Sequence, residues 1–280
     1  MRGLIRQRGV TTPIQVVPTG VELERYAGGD PLGFRAAMQI PPDAFVVGHV
    51  GRLAPEKNLH FLAESVIEFI KSRTPKKPPD AHFLVAGAGP EEATIRSYFA
   101  AVGLGSRLHV AGILDSRQLT SAYRAMDVFA FSSRSETQGM VLTEAMAAAV
   151  PVVALDAPGA REIVVDGDNG RLLSTETPES FAAALRWVAE CAPAERQRLR
   201  DAALETAREF SMHNCAARAL RCYDELLDGA HQGNEEKFEN WKNLLRLIKA
   251  EWDIIEGVVE GAAAAASASL ATQGREDKLR

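Results

Sequence analysis

The sequence predicts an α/β protein built on a Rossmann-like, doubly wound parallel sheet, with a helical extension at its C-terminal end. Three observations lead there. Short runs of β-branched and apolar residues recur between positions 45 and 173. They are apolar throughout rather than alternating, the pattern of strands buried on both faces. Each is followed by a stretch with helical spacing, so strand and helix alternate as parallel connections require.

Taken in order, FVVGHVG (45–51) precedes a helix expected from about Asn58, and HFLVAGAG (82–89) precedes one opening at Pro90. RLHVAG (107–112) leads into a short helix from about Ser116, and DVFAFSS (127–133) into the helix that holds Glu144. VPVVAL (150–155) runs into a short turn and REIV, while NGRLL (169–173) comes before helices at about 178–191 and 194–209. The Pro- and Lys-rich segment 72–81 reads as a surface loop between helix and strand. The expected organisation is a lead-in and interdomain connection over 1–40, a Rossmann-like domain over 41–230, and a distinct region over 231–280. That last region reads as a linker, an amphipathic helix at about 236–260 and a low-complexity, disordered tail. The helix carries mixed charges, which argue against a basic membrane helix. Its apolar stripe, with Phe238, Trp241, Leu245 and Trp252, suits packing on the domain or on a partner surface.

Composition removes several classes. A formal charge of −5 lacks the basic excess of a nucleic-acid-binding surface, so no nucleic-acid partner is expected. Cys191, Cys215 and Cys222 follow no metal or redox spacing and fit a reducing compartment. No apolar run approaches the roughly 18–20 residues that span a bilayer, and the first residues lack a signal-peptide pattern. The expected location is cytoplasmic, with peripheral contact at the inner membrane face left open.

Ligands of doubly wound sheets sit beyond the carboxyl ends of the strands. After the first strand, RLAPEKN places Arg52 and Lys57 in one loop that Pro55 stiffens. Two cations converging there suit a diphosphate and offset the charge of a departing pyrophosphate group. An ordinary solvated loop is the competing reading. GAGP (87–90) lacks the third glycine and the acidic residue of the dinucleotide fingerprint, so a NAD-dependent dehydrogenase fits poorly. A tight turn explains that segment as well as close approach to a ligand does. After the third strand, Gly112 and Ile113 offer apolar surface and free backbone groups to a flat base, or form a plain loop.

The fourth strand end, SETQGMVLTEAMAAAVPVVAL (135–155), holds two glutamates eight residues apart. A polar loop through Gln138 gives way to a helix start near Gly139–Met140. The N–H groups of Gly139, Met140 and Val141 would be free helix-start donors, a ready anion site. Glu136 lies on the loop side of that site and Glu144 inside the helix. Were the whole span helical, their backbones would stand about 12 Å apart, the reach of a sugar nucleotide from hexose to ribose. A carboxylate accepts two hydroxyl hydrogen bonds, which is what a vicinal diol offers. Two diol clamps around a phosphate cradle is one reading; a capping Glu136 with a solvated Glu144 is the other.

Together these blocks resemble the C-terminal, donor-binding domain of retaining, two-domain B-type glycosyltransferases, the family 4 or group 1 glycosyltransferases. The similar segments are VVPTGVELERY (16–26), GHVGRLAPEKN (48–58), LVAGAGPE (84–91), LHVAGIL (108–114), the Glu136–Glu144 spacing, and EAMAAAVPVVALDAPGAREIVVDGDNGRLL (144–173). They stand in the right order and cover roughly residues 14–228. The resemblance implies transfer of a hexose from a UDP- or GDP-sugar to an acceptor hydroxyl with retention, with no cofactor and no metal. It implies Arg52 and Lys57 on the donor diphosphate, Glu136 on the sugar, and Glu144 on the ribose. Arg52, Lys57 and Glu136 form the expected catalytic group. Backbone amides from Thr137, Gln138, Gly139, Met140 and Val141 assist, and Gly112 and Ile113 complete the donor-binding set. The ETQG form (136–139) is similar to the branch making diacylglycerol glycolipids and related glycoconjugates.

Two departures accompany the resemblance. The family's N-terminal half, with the acceptor site, a Gly-rich loop and a histidine near the reacting sugar, has no counterpart in these residues. None of the histidines at 49, 60, 82, 109, 213 and 231 carries a motif that replaces it, and four of them read as structural. The chain is therefore expected to pair with a missing or separate N-terminal acceptor domain. A non-catalytic nucleotide-sugar-binding or interaction module is the alternative. The family also usually has glycine where this chain has Ala149; in a left-handed helix cap, alanine costs on the order of 1 kcal/mol.

Overall fold

The computed structural model describes residues 2–72, 80–134, 136, 138–231 and 246. The apolar runs form six strands: β1 (Phe45–Val50), β2 (Ala81–Ala86), β3 (Leu108–Gly112), β4 (Val128–Phe131), β5 (Val152–Leu155) and β6 (Gly170–Leu173). All pair in parallel, in the order β3-β2-β1-β4-β5-β6. β1, β2, β4 and β5 are buried at every position, whereas the edge strands β3 and β6 are fully buried only at their first residue. The unbroken apolar runs thus belong to strands covered on both faces. The chain winds outward from β1 to β3, then returns to β4 and winds to the other edge. The reversal lies between β1 and β4, where a doubly wound sheet opens its ligand crevice.

The helices are α1 (Arg2–Gln7), α2 (Leu23–Ala27), α3 (Pro31–Ala37), α4 (Leu59–Ser72), α5 (Glu92–Ala101), α6 (Ser116–Arg124), α7 (Met140–Ala147), α8 (Pro158–Arg161), α9 (Pro178–Glu190), α10 (Pro193–Glu209) and α11 (Met212–His231). Helix α4 begins at Leu59, next to the expected Asn58, which takes a left-handed conformation (φ 55°); α5 begins later than its sequence suggested, because Pro90 and Glu91 form a turn ahead of it. The lead-in is more structured than expected. It holds α1 to α3, its residues Val21, Tyr26 and Ile40 are buried, and the Asp30 carboxylate caps α3 by accepting from the Gly33 N–H at 2.9 Å.

Side chains alternate across the sheet with the strand period of two. Val46, Val50, Leu84, Phe129 and Phe131 face one core with Tyr123 of α6, Leu142 and Met146 of α7, and Ala203 and Ala207 of α10. Phe45, Val47, Phe83, Val128 and Val153 face the other, with Leu62 and Phe69 of α4, Phe99 of α5 and Phe181 and Leu185 of α9. Phe61 and Phe181 meet edge to face at 5.6 Å and tie α4 to α9. Each fully buried ring of this kind contributes roughly 2–3 kcal/mol of apolar burial.

Helix α7 ends as the sequence anticipated. Ala149 is left-handed (φ 58°), its N–H reaches the Met146 carbonyl at 2.9 Å, and the Val150 N–H reaches Ala145 at 3.0 Å. This is the Schellman pair, in a position that favours glycine.

The chain divides into two compact units, Met1–Ala219 and Leu220–Arg280. Of the second, residues 220–231 continue α11, and Arg246 is helical and exposed. The rest of the amphipathic segment 236–260, the tail after it and residues 73–79 of the Pro- and Lys-rich loop lie outside the described residues. Among the described residues, no helix is long and apolar enough to cross a membrane.

Candidate functional site

The loops that leave β1 and β4 enclose a cavity of about 410 Å³ at the sheet's reversal point. Its lining brings together Arg52, Lys57, Glu136, Gln138 and the first residues of α7, Gly139 to Val141. The two loops are pinned to one another. Ser132 Oγ donates to the Lys57 carbonyl at 2.8 Å, and Ser133 Oγ donates to the Glu56 carbonyl at 3.2 Å. Gln138 Nε2 donates to the Thr19 carbonyl at 2.6 Å and anchors the lead-in to the same loop. Thr137, named from the sequence, lies outside the described residues. A larger groove of about 560 Å³ between α4 and α5, lined by Ile67, Tyr98 and Val102, lies off the strand ends and gathers no cation.

The two predicted cations share this cavity, but each is held by a carboxylate. Lys57 Nζ donates to Glu136 Oε2 at 2.7 Å, with both side chains 20% exposed. Arg52 pairs with Glu56, four residues on, and is 72% exposed. Solvent screens the outer pair strongly, whereas the sheltered Lys57–Glu136 pair keeps more of its Coulombic energy. Lys57 is therefore the less screened of the two cations, with its charge set against Glu136.

Helix α7 opens without protection. No side chain caps it, no acidic residue stands in its first turn, and Gly139 enters it with φ 67°. The helix dipole and the N–H groups at its start therefore face the cavity without an internal anion. A Cβ at Gly139 would meet Leu142 Cδ1 at 2.9 Å in a conformation that side chains rarely adopt, so glycine is favoured here.

The second glutamate is placed differently from the sequence estimate. Glu136, Gln138 and Gly139 are not helical, so the straight-helix spacing to Glu144 does not apply. Glu144 stands on α7 outside the cavity lining, and its Oε2 accepts from the Tyr123 hydroxyl at 2.7 Å. Burial first, then the Glu144 charge, pushes the Tyr123 phenol well above its usual range, so it remains a donor. The same two causes raise Tyr26.

An adjoining cavity of about 330 Å³ shares Val50, Gly51 and Arg52 with the first and adds Gly87, Gly112 and Ile113. Ile113 is 85% exposed there. The glycines of GAGP have a structural purpose. A Cβ at Gly87 would lie 1.9 Å from the Gly51 carbonyl oxygen, and one at Gly89 would lie 2.2 Å from that of Leu53. They let the loop leaving β2 press against the loop leaving β1, which is the tight-turn reading.

Sequence reasoning missed His49. It is 1% exposed on β1, yet it lines the cavity. The available signal was a lone imidazole in an otherwise apolar strand, one residue from its carboxyl end. The chain also holds an Asp-x-Asp triplet, Asp166–Gly167–Asp168, before β6. Asp166 is taken up by Arg171 at 2.6 Å and Asp168 by Arg198 at 3.0 Å, away from the cavity lining. Among the described residues, no three His, Cys, Asp or Glu side chains form a metal-binding group.

The group 1 glycosyl transferases match residues 34–206. The D-inositol 3-phosphate glycosyltransferase of Actinosynnema mirum is 33% identical over 221 residues, covering 77% of this chain and 52% of that protein. The enzyme of the same name from Rhodococcus erythropolis is 33% identical over 218 residues, covering 76% and 48%. The chain spans about half the length of these relatives. Among solved structures, Anabaena HepE in complex with UDP is similar at TM-score 0.68 and 23% identity, over 80% of this chain and 61% of that one. The C-terminal domain of the group 1 family protein LpcC from Francisella tularensis is similar at TM-score 0.59 and 23% identity, over 68% of this chain and 97% of that one. These likenesses place the fold as one Rossmann-like half of the two-domain B-type architecture. By its family match over residues 34–206, the chain belongs to the group 1 glycosyltransferases.

Proposed function

We propose that this chain is the donor-binding half of a retaining hexosyltransferase that moves a sugar from UDP or GDP to an acceptor hydroxyl. The observation that carries the proposal is the cavity at the β1/β4 reversal, which gathers Lys57, Arg52, Glu136 and the uncapped start of α7. Lys57, Arg52 and the α7 amides bind the donor diphosphate and stabilise it as it leaves. Glu136 accepts from hydroxyls of the sugar, whose anomeric carbon passes through an oxocarbenium-like state. Glu144, oriented by Tyr123, accepts from the ribose diol, and the base lies against Gly112 and Ile113. Positive charge from Arg52 and Lys57 takes the place that a metal ion fills in other transferases. The acceptor binds a second, N-terminal domain, in keeping with relatives about twice as long. Their name makes D-inositol 3-phosphate the first acceptor to try.

Calorimetry with UDP, GDP, UDP-glucose and GDP-mannose tests the donor site on the wild type, Lys57→Ala and Arg52→Ala. Losing a charge-assisted hydrogen bond makes Lys57→Ala roughly tenfold or more weaker for the nucleotides that bind. Arg52→Ala gives a smaller loss that fades as salt rises. Equal, unmeasurable binding by all three proteins would remove the donor site. Turnover appearing only with an added N-terminal half separates an enzyme half from a simple binding module.

A further inference from the structure

His49 lines the cavity with one ring nitrogen committed and the other buried without a partner among the described residues. Nδ1 lies 3.1 Å from the Ala130 carbonyl on the neighbouring strand β4. A carbonyl oxygen only accepts, so Nδ1 carries the proton and Nε2 presents a lone pair. Nε2 is buried and has no hydrogen-bond partner among the described residues. The ring is fixed by its place on the strand and by stacking on Phe129, 6.2 Å between centroids. No side chain covers Nε2 from position 51: a Cβ added to Gly51 would come within 3.6 Å of it. Gly51 also lines the cavity. A buried acceptor left without a donor is costly, so the native site meets it with a ligand or water hydrogen.

The chemistry of the cavity sorts what can supply that hydrogen. Lys57 and the α7 amides are donors and suit phosphate oxygens, while the Nε2 lone pair repels them. Burial, opposed by the Ala130 hydrogen bond and reinforced by the nearby Lys57 charge, lowers the imidazole to about 4. The ring is thus neutral at ordinary pH and cannot become a second phosphate anchor. What remains is a hydroxyl. Resting on the nucleotide-sugar reading above, we infer that His49 Nε2 accepts a hydrogen bond from a hydroxyl of the sugar carried by the nucleotide, making His49 a specificity-determining residue. Glu136 and His49 then form an acceptor pair for the sugar, set against the donor set for the diphosphate.

The test uses the full chain labelled with ¹⁵N-histidine and titrated with UDP, UDP-glucose, GDP and GDP-mannose. The resonance of the unprotonated His49 nitrogen moves upfield with the nucleotide-sugar that binds and stays in place with the matching nucleotide. In calorimetry, His49→Phe lowers the preference for nucleotide-sugar over nucleotide by about fivefold, the worth of one neutral hydrogen bond. His49→Gln, which keeps an acceptor, recovers part of that preference. A wild-type protein that binds the nucleotide-sugar with an unmoved His49 resonance overturns this inference and leaves the donor site standing. An unchanged preference in a folded His49→Phe protein does the same. A wild type that binds none of the four ligands overturns both.

Discussion

At the scale of single residues, the two cases that separate are Ala149 and His49. Ala149 was legible because its reason is local. A helix rich in alanine must stop before VPVVAL, and a left-handed residue is the usual way to stop it. The structure puts Ala149 at φ 58° with both Schellman hydrogen bonds made. Alanine there retains the steric cost of a Cβ in the left-handed region, so Ala149→Gly should stabilise the protein by about 1 kcal/mol. For a unit of this size that raises Tm by roughly 2–4 °C, measurable by calorimetry or circular dichroism. An equal or lower Tm would show that the site tolerates Cβ without strain. His49 was not legible, because its reason is not local. Only the pairing of β1 with β4 sets the Ala130 carbonyl beside Nδ1, and only the fold of the β4–α7 loop completes the cavity that His49 lines.

At the scale of elements, the six strands could be read because burial on both faces demands unbroken apolar runs, and that demand shows within each run. Helices α1 to α3 were missed because they are short, and what holds α2 and α3 in place comes from long-range partners such as Thr120, whose Oγ1 donates to the Arg25 carbonyl. The Asp30 N–H donates to Ser121 Oγ, and Arg35 reaches the carbonyl of Ala125 and the carboxylate of Asp127. Strands β2 and β3 carry a hydrogen-bonded line that the sequence hid in plain apolar runs. Arg107 Nη1 donates to His82 Nε2 at 2.9 Å, which leaves His82 Nδ1 to donate to His109 Nε2 at 2.8 Å. Arg107 also pairs with Asp80. Burial, the facing His109 and the Arg107 charge lower His82 to about 4, despite the opposing pull of Asp80. Burial and Arg107 lower His109 as well, against its hydrogen bond to the Met38 carbonyl. A histidine whose folded pKa is depressed binds its proton more readily unfolded. Its stabilising contribution is therefore whole above pH ~6.5 and is lost as pH falls toward 4. The urea midpoint should drop across that window, with His49 adding to the drop in the same direction. In a His82→Gln/His109→Gln protein the slope between pH 6.5 and 4 should flatten, whatever happens to the absolute midpoint. A slope as steep as wild type would assign the effect to other groups.

At the scale of the whole molecule, the sequence pattern pointed to this cavity because a doubly wound sheet has only one place where its winding reverses, and the charged strand-end motifs fall there. The pairing of each cation with its own carboxylate could not be read, since Lys57 and Glu136 are 79 positions apart. Every described site residue lies within Met1–Ala219. A chain ending at His231 should therefore bind the same nucleotides with wild-type affinity in calorimetry; a loss of several-fold would give residues 232–280 a part in the donor site. The Lys57–Glu136 bond joins the loops on either side of the reversal, so the two walls of the cavity are tied together by their own charges. In the donor site proposed above, a diphosphate that takes the lysine would free the carboxylate for the sugar's hydroxyls, so each half of a nucleotide-sugar meets one member of the pair.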